Sequence, residues 1–361
     1  MKIVLACGGT GGHIFPAFSV AEELKRRHPG AGIIYVCGKK DIENAIFKVV
    51  VHERVVSIES APFAGAASLC RPSFLLKLFS GFRQALSLLK RERPDVVVGF
   101  GGHYSFPAIL AAKFLGIRTL IHEQNVVPGK ANKLLARIVD GVALSFPETR
   151  LLLPGRRNMK VTGNPIRSAI ERGSRAEAMA YFGFSEGRRT ALVLGGSQGA
   201  ESINTLFLAA LRFLPAAEKE ALQVLHLCGR MPAEQSEREC ASLGVRCRAY
   251  SFFERMDLAY AVADFAVGRA GATFLAEISV KRVPAILIPY PFSGGHQLYN
   301  ARAFAKDHAA VVAEQKDLTA EKLAGLLTEA LRRTGLAGTP AAVPSESRAR
   351  LADFILEGVF V

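Results

Sequence analysis

The chain has 361 residues, half of them apolar, and 46 Lys plus Arg against 32 Asp plus Glu leave a formal charge of +14. Its length exceeds one ordinary hydrophobic core and predicts two domains of about 150 to 200 residues, while the apolar content excludes a disordered chain. The charge surplus predicts a polyanionic partner, and with no long run of consecutive basic residues a phosphorylated small molecule or an anionic membrane surface suits it better than nucleic acid.

In chain order, Lys2–Ala6 predicts a strand, "CGGTGGHIFP" (Cys7 to Pro16) a glycine turn, Phe15–Arg27 a helix and Gly32–Cys37 the next strand. From Leu69 to Arg93, the apolar Leu75, Leu76, Leu78, Phe79 and Phe82 alternate with Arg71, Lys77, Arg83, Lys90, Arg91 and Arg93. That mixture predicts a helix lying on an anionic bilayer, or an amphipathic core helix with solvated charges. Strand Asp95–Phe100 leads through "GGHYSFP" into helix Ala108–Leu115, and Thr119–His122 forms a further strand before "HEQNVVPGKANK".

After "TGNPIR" (Thr162 to Arg167) the alternation restarts with strand Ala191–Leu194 and "GGSQGA", followed by strands Gln223–Cys228, Arg246–Tyr250, Phe265–Val267 and Ala285–Ile288. Alternating strands and helices predict an α/β chain of two tandem Rossmann-like domains, 1–164 and 165–344. A linker over Gly335–Ser347 precedes a helix, Arg348–Gly358, whose Leu351, Phe354 and Ile355 share one face, so that the segment 345–361 is expected to pack back on a domain.

Six scattered cysteines lack C-x-x-C spacing, so neither a disulfide framework nor a zinc knuckle is expected, and a reducing compartment suits them. The first apolar run is too short for a signal-peptide core, and no stretch of about 18 apolar residues appears; a soluble or peripheral protein is expected.

Three predicted strands end in glycine loops that open helices: "GGTGGH", "GFGGHYS" and "GGSQGA". A helix start offers unpaired N–H groups and partial positive charge, and glycine lets a phosphate oxygen reach the backbone. Three such ends predict a diphosphate ligand or several phosphate-bearing ones. A nicotinamide site is the rival. Neither first-half nor second-half loop spells G-x-G-x-x-G, and Lys39-Lys40 stands where NAD binding wants an acid, although it could read an NADP phosphate.

His13 opens a helix, where the positive end disfavours imidazolium; beside a phosphate loop it is a candidate general base, against the alternative of a packing histidine. His122, Glu123, Gln124 and Asn125 follow a strand directly and suit a polyhydroxylated ligand. Glu277 is the candidate for holding ribose hydroxyls, and His296, Gln297 and Asn300 stand at another helix start. With no D-x-D in the chain, a divalent ion is not expected, and Arg167, Arg269 and helix ends would neutralise a leaving diphosphate.

Seven motifs in order, "GGTGGHIFPA", "GFGGHYSFPAILAA", "HEQNVVPGKANK", "GNPIR", "LGGSQGA", "RAGATFLAE" and "HQLYNA", resemble the MurG family of UDP-N-acetylglucosamine transferases over nearly the whole chain. The resemblance implies a GT-B fold with a cleft between the domains and a cytoplasmic-face, peripheral membrane enzyme of peptidoglycan synthesis. It implies metal-independent, inverting transfer to the muramyl C4 hydroxyl of lipid I, giving lipid II, with no cofactor and with other cell-wall synthesis proteins as further partners.

By motif, His13 falls at the family's proposed base. Thr10, Gly11, Gly12, Asn125, Arg167, Ser197, Phe253, Ala272, Thr273, Phe274, Leu275, Ala276, Glu277 and Gln297 fall at donor-binding positions. Gly101, Gly102, His103 and Tyr104 would meet the acceptor diphosphate. The chain departs from the family at Phe274, where threonine is common, and at His103, where tyrosine is common. Another GT-B lipid-directed sugar transferase, a UDP-sugar epimerase and a non-catalytic nucleotide-sugar or lipid-binding module are the alternatives.

Overall fold

A computed structural model describes residues 1–39, 53–62, 71–155, 158–196, 199–292, 295–332 and 346–358. Ser197, Lys40, positions 69–70 and most of the Gly335–Ser347 linker lie outside these. The chain forms two units, Met1–Arg167 with Ser345–Val361, and Ser168–Pro344.

The first unit carries a seven-stranded parallel sheet. Its strands are β1 (Lys2–Ala6), β2 (Gly32–Cys37), β3 (Arg54–Ser57), β4 (Val96–Gly99), β5 (Arg118–Glu123), β6 (Gly141–Leu144) and β7 (Met159–Val161), in the order β3-β2-β1-β4-β5-β6-β7. Alternation along β1 sorts the core: Ile3 and Leu5 join helix Gly11–Arg27 on one face. Val4 and Ala6 join helices Pro72–Glu92 and Gly102–Phe114 on the other. Burial on both faces is why these strands read as continuous apolar runs.

Helix Ser347–Leu356 supplies Leu351, Ala352, Phe354 and Ile355, all fully buried, to the face that holds Ile3 and Leu5. Its last carbonyls have no helical donors, and Arg118 takes them: the guanidinium donates to Ile355 O at 2.5 Å and Phe354 O at 3.0 Å. Ion pairs of Arg27 with Asp353 and Lys160 with Glu357 hold the same helix.

The second unit carries a six-stranded parallel sheet of β8 (Arg189–Leu194), β9 (Leu222–Leu227), β10 (Arg246–Tyr250), β11 (Phe265–Gly268), β12 (Ala285–Leu287) and β13 (Ala310–Val312), in the order β10-β9-β8-β11-β12-β13. Both sheets are doubly wound. The strand order reverses between β1 and β4 in one unit and between β8 and β11 in the other, the places where such sheets bind ligands.

Two helices start earlier than their sequence pattern predicts, at Gly11 rather than Phe15 and at Gly102 rather than Ala108. Glycines and an internal proline, Pro16 and Pro107, hide those first turns, because both residue types disfavour helix. A proline donates no N–H, so the carbonyl four residues back needs another partner; Ser60 Oγ donates to His103 O at 2.8 Å. Strands β3, β6, β7 and β13, each of three or four residues, were too short to carry a period. Among the described residues no helix is long and apolar enough to cross a membrane.

Candidate active site

In the first unit β1 and β4 lie side by side, with Ala6 opposite Gly99, so the glycine loops that follow them are neighbours. Their contact is close: a Cβ on Gly102 would stand 2.8 Å from Gly8 O. Gly101, at φ +86°, faces the His13 ring, and a Cβ there would lie 3.0 Å from Cδ2 and 3.1 Å from Nε2. Only glycine combines that backbone angle with that approach.

His13 Nδ1 donates to Gly8 O at 3.2 Å, and Thr10 Oγ1 stands 3.4 Å from the same nitrogen. A carbonyl only accepts, so Nδ1 carries the proton and Nε2 is the basic nitrogen, the tautomer a general base needs. Thr10 is the N-cap, and the helix geometry leaves Gly11 and Gly12 N–H without intrahelical acceptors. Replacing Gly101 with alanine should therefore push on the imidazole and strain the loop. Turnover is expected to fall by roughly tenfold or more, for about 1–3 kcal/mol of imposed strain; unchanged turnover would show that the His13 ring does not rest there.

Helix Gly102–Phe114 presents His103 and Tyr104 in its first turn, rings 4.0 Å apart. The Tyr104 hydroxyl covers Gly38, where a Cβ would fall 1.9 Å from it, so the end of β2 must stay bare to admit the phenol. Ser105 Oγ reaches Gly101 O at 2.6 Å and Ala6 O at 2.8 Å, tying this helix start to β1. Arg167 belongs to the same unit; its guanidinium lies over the ring of Phe15, 4.4 Å from the centroid and two residues beyond His13 on the helix.

In the second unit the loop after β8 bends at Gly196 (φ +90°) and Gly199 (φ +73°), and a Cβ on Gly199 would stand 2.8 Å from Gly229 Cα. Beside it, helix Ala272–Lys281 starts after β11. Phe274 and Leu275 are buried, whereas Thr273 and Ala276 are partly exposed. Glu277 is buried and Tyr260 donates to its Oε2 at 2.7 Å. Gln297 Oε1 accepts from Tyr290 N at 2.9 Å, leaving its NH2 as the donor end. Phe253 sits in an aromatic cluster with Tyr250 (4.8 Å) and Phe182 (5.4 Å).

Glycine loops and helix starts thus line both switch points. Residues 3–144 match the glycosyltransferase family 28 N-terminal domain, and residues 190–352 match the glycosyltransferase family 28 C-terminal domain. A protein of Halothermothrix orenii, a UDP-N-acetylglucosamine–N-acetylmuramyl-(pentapeptide) pyrophosphoryl-undecaprenol N-acetylglucosamine transferase by name, is 41% identical over 91% of this chain and 90% of its own length. The chain belongs to glycosyltransferase family 28. A family member of the same name from Geotalea daltonii is 37% identical over 95% of this chain and 92% of its own. The crystal structure of Acinetobacter baumannii MurG superposes with a TM-score of 0.74 at 28% identity, covering 99% of both chains.

Three side chains that the sequence of this family-28 chain places at the ligand instead face inward. His122, Glu123 and Gln124 are buried. His122 Nε2 donates to Gly163 O at 3.0 Å, and its Nδ1 accepts from Gln124 Nε2, which also donates to Phe100 O. Glu123 takes Asn125 N (3.0 Å), Gly129 N (3.0 Å) and Asn132 Nδ2 (2.8 Å), so it shapes the loop rather than binding a sugar. Asn125 alone of the four stays partly exposed.

Arg269 is likewise turned away from a diphosphate role. It is buried, with Nη1 on Ile288 O (3.0 Å) and Pro289 O (3.2 Å) and Nη2 on Ser202 Oγ (2.8 Å). Asn300 is buried too, and donates to Ala270 O. These inward roles are invisible in a motif, because alternation at a strand end does not say which way the loop turns. Asn164 and Tyr260 went unmarked in the sequence. Among the described residues neither amide atom of the buried Asn164 has a hydrogen-bond partner.

Burial pushes the His122 imidazole down to about 4, and His226 in the second unit likewise to about 4. An unfolded histidine titrates near 6.5, so between about pH 6.5 and 4 the unfolded chain binds the extra proton, and stability falls as pH falls. Each group is worth about 3 kcal/mol across that window. The melting temperature should drop steadily from pH 6.5 to 4; a flat profile would contradict buried neutral imidazoles.

Proposed function

We propose that this glycosyltransferase moves N-acetylglucosamine from UDP-N-acetylglucosamine to the C4 hydroxyl of the muramyl sugar of undecaprenyl-pyrophosphoryl-N-acetylmuramyl-pentapeptide, giving lipid II. The observation that carries this reading is His13, held by Gly8 O with Nε2 basic at a switch point lined by glycine helix starts. In the reaction the acceptor C4 oxygen attacks the anomeric carbon from the face opposite UDP. His13 Nε2 takes the hydroxyl proton, the anomeric C–O bond breaks, configuration inverts, and UDP leaves with the bonding pair.

The nucleotide is assigned to the second unit, with Glu277 on the ribose, Phe253 and the Ala272–Glu277 segment around the nucleoside, and Gln297 near the sugar. Thr10, Gly11, Gly12, Asn125, Arg167 and Ser197 complete the donor contacts. Backbone N–H groups and Arg167 stabilise departing diphosphate charge without a metal. Gly101, Gly102, His103 and Tyr104 receive the acceptor diphosphate.

The lipid-borne acceptor calls for a membrane surface, and we assign the cytoplasmic face of the inner membrane. On helix Pro72–Glu92, Leu76 and Phe79 are 68% and 60% exposed among the exposed Arg71, Lys77 and Arg83. Phe114, 71% exposed, joins them from the next helix, edge-on to Phe82 at 6.1 Å. Apolar side chains ringed by cations suit an anionic bilayer.

The test is UDP release from UDP-N-acetylglucosamine with a lipid I analogue, with and without EDTA. Release dependent on the acceptor and indifferent to EDTA is expected. No release overturns the reaction, and EDTA-sensitive release overturns the metal-free mechanism.

A further inference from the structure

We propose that Tyr260 is a positioning residue that aims the Glu277 carboxylate at the ribose hydroxyls of the donor nucleotide, an inference that rests on the assignment of Glu277 to the ribose. Tyr260 lies on helix Met256–Val262, before β11, and Glu277 on helix Ala272–Lys281, after it. The two side chains are 2% and 4% exposed, and their oxygens are 2.7 Å apart.

A buried carboxylate is costly unless its oxygens are hydrogen-bonded, and an O–H donor to a carboxylate makes one of the stronger, shorter protein hydrogen bonds. With Oε2 held by the phenol, the carboxylate can no longer spin about its terminal torsion, which is otherwise broad and two-fold. Its orientation is therefore set before the nucleotide arrives. The Phe274 ring, 6.4 Å from that of Tyr260, packs the phenol from the same helix that carries Glu277. A ribose diol presents two donors at fixed spacing, and a preset carboxylate receives them without paying rotamer entropy on binding.

The phenol hydroxyl makes no contact with the nucleotide in this scheme. Its removal should appear in ribose recognition and leave the chemical step alone. Tyr260→Phe keeps the ring and its packing, and Glu277→Gln serves as the reference for a lost carboxylate.

Calorimetric titration of the full chain with UDP-N-acetylglucosamine and with its 2′-deoxyribose analogue tests this. The wild type should prefer the ribose form by roughly tenfold or more, the worth of a hydrogen bond to a charged group. In Tyr260→Phe that preference should shrink by at least about threefold, with the deoxy analogue, which presents only one of the two donors, weakened less. Tyr260→Phe should add little to Glu277→Gln, since both act through one carboxylate. Equal weakening of both ligands, or an unchanged preference, overturns the positioning role. A wild type that does not discriminate between the two removes Glu277 from the ribose, and the failure then lies with that assignment.

Discussion

Replacing His13 with alanine is expected to lower the turnover of UDP-N-acetylglucosamine and a lipid I analogue by about 10²- to 10⁴-fold, the usual worth of a positioned base. Donor affinity should change little, because the nucleotide contacts assigned to the second unit are untouched. The geometry argues for loss of the chemical step rather than of the fold. The ring is partly exposed, and its backbone hydrogen bond to Gly8 O, at 3.2 Å, is long and modest. Turnover measured at saturating donor, together with the donor dissociation constant, separates the two effects. Full turnover in the variant would sink the base assignment and leave His13 as a residue that packs two glycine loops.

Phe354→Ala should have the largest effect on stability, about 3–5 kcal/mol, since it removes a fully buried aromatic side chain from a core that cannot collapse around the gap. The ring packs directly on strand backbone: a Cβ at Gly141 would fall 2.6 Å from its Cζ and the same distance from Leu120 Cδ2. Lys160 Nζ covers the ring 5.1 Å from its centroid, adding a cation–π contact that the alanine loses. A melting temperature lower by roughly 10 °C is expected. A loss below about 1 kcal/mol would mean that the terminal helix is not docked in solution.

Much of the fold was legible because parallel strands buried on both faces are apolar runs. Lys2–Ala6, Gly32–Cys37 and Arg246–Tyr250 were bounded to the residue. Short edge strands such as β7 and β13 were not, because three residues carry no period and are strands only through their neighbours. Helix starts were misplaced where glycine and proline suppress the local helical signal, and these are the turns that carry His13 and His103.

By itself the sequence determined which loops bring glycine, helix start and histidine together, since that chemistry is local and needs only strand, turn and helix in succession. It also determined the family, through motifs whose order survives along the whole chain. Tertiary structure alone decided which polar side chains face a ligand. His122, Glu123, Gln124 and Arg269 looked like ligand contacts, yet Glu123 takes N–H groups of its own loop while the other three donate to carbonyls of neighbouring strand ends, because loops at strand ends leave backbone groups that need partners. Distant pairings were equally hidden: Gly101 beneath His13, Tyr260 on Glu277, and Phe114 beside the cationic helix. Each joins residues far apart in the chain, and only the packing of strand against strand and helix against helix brings them together.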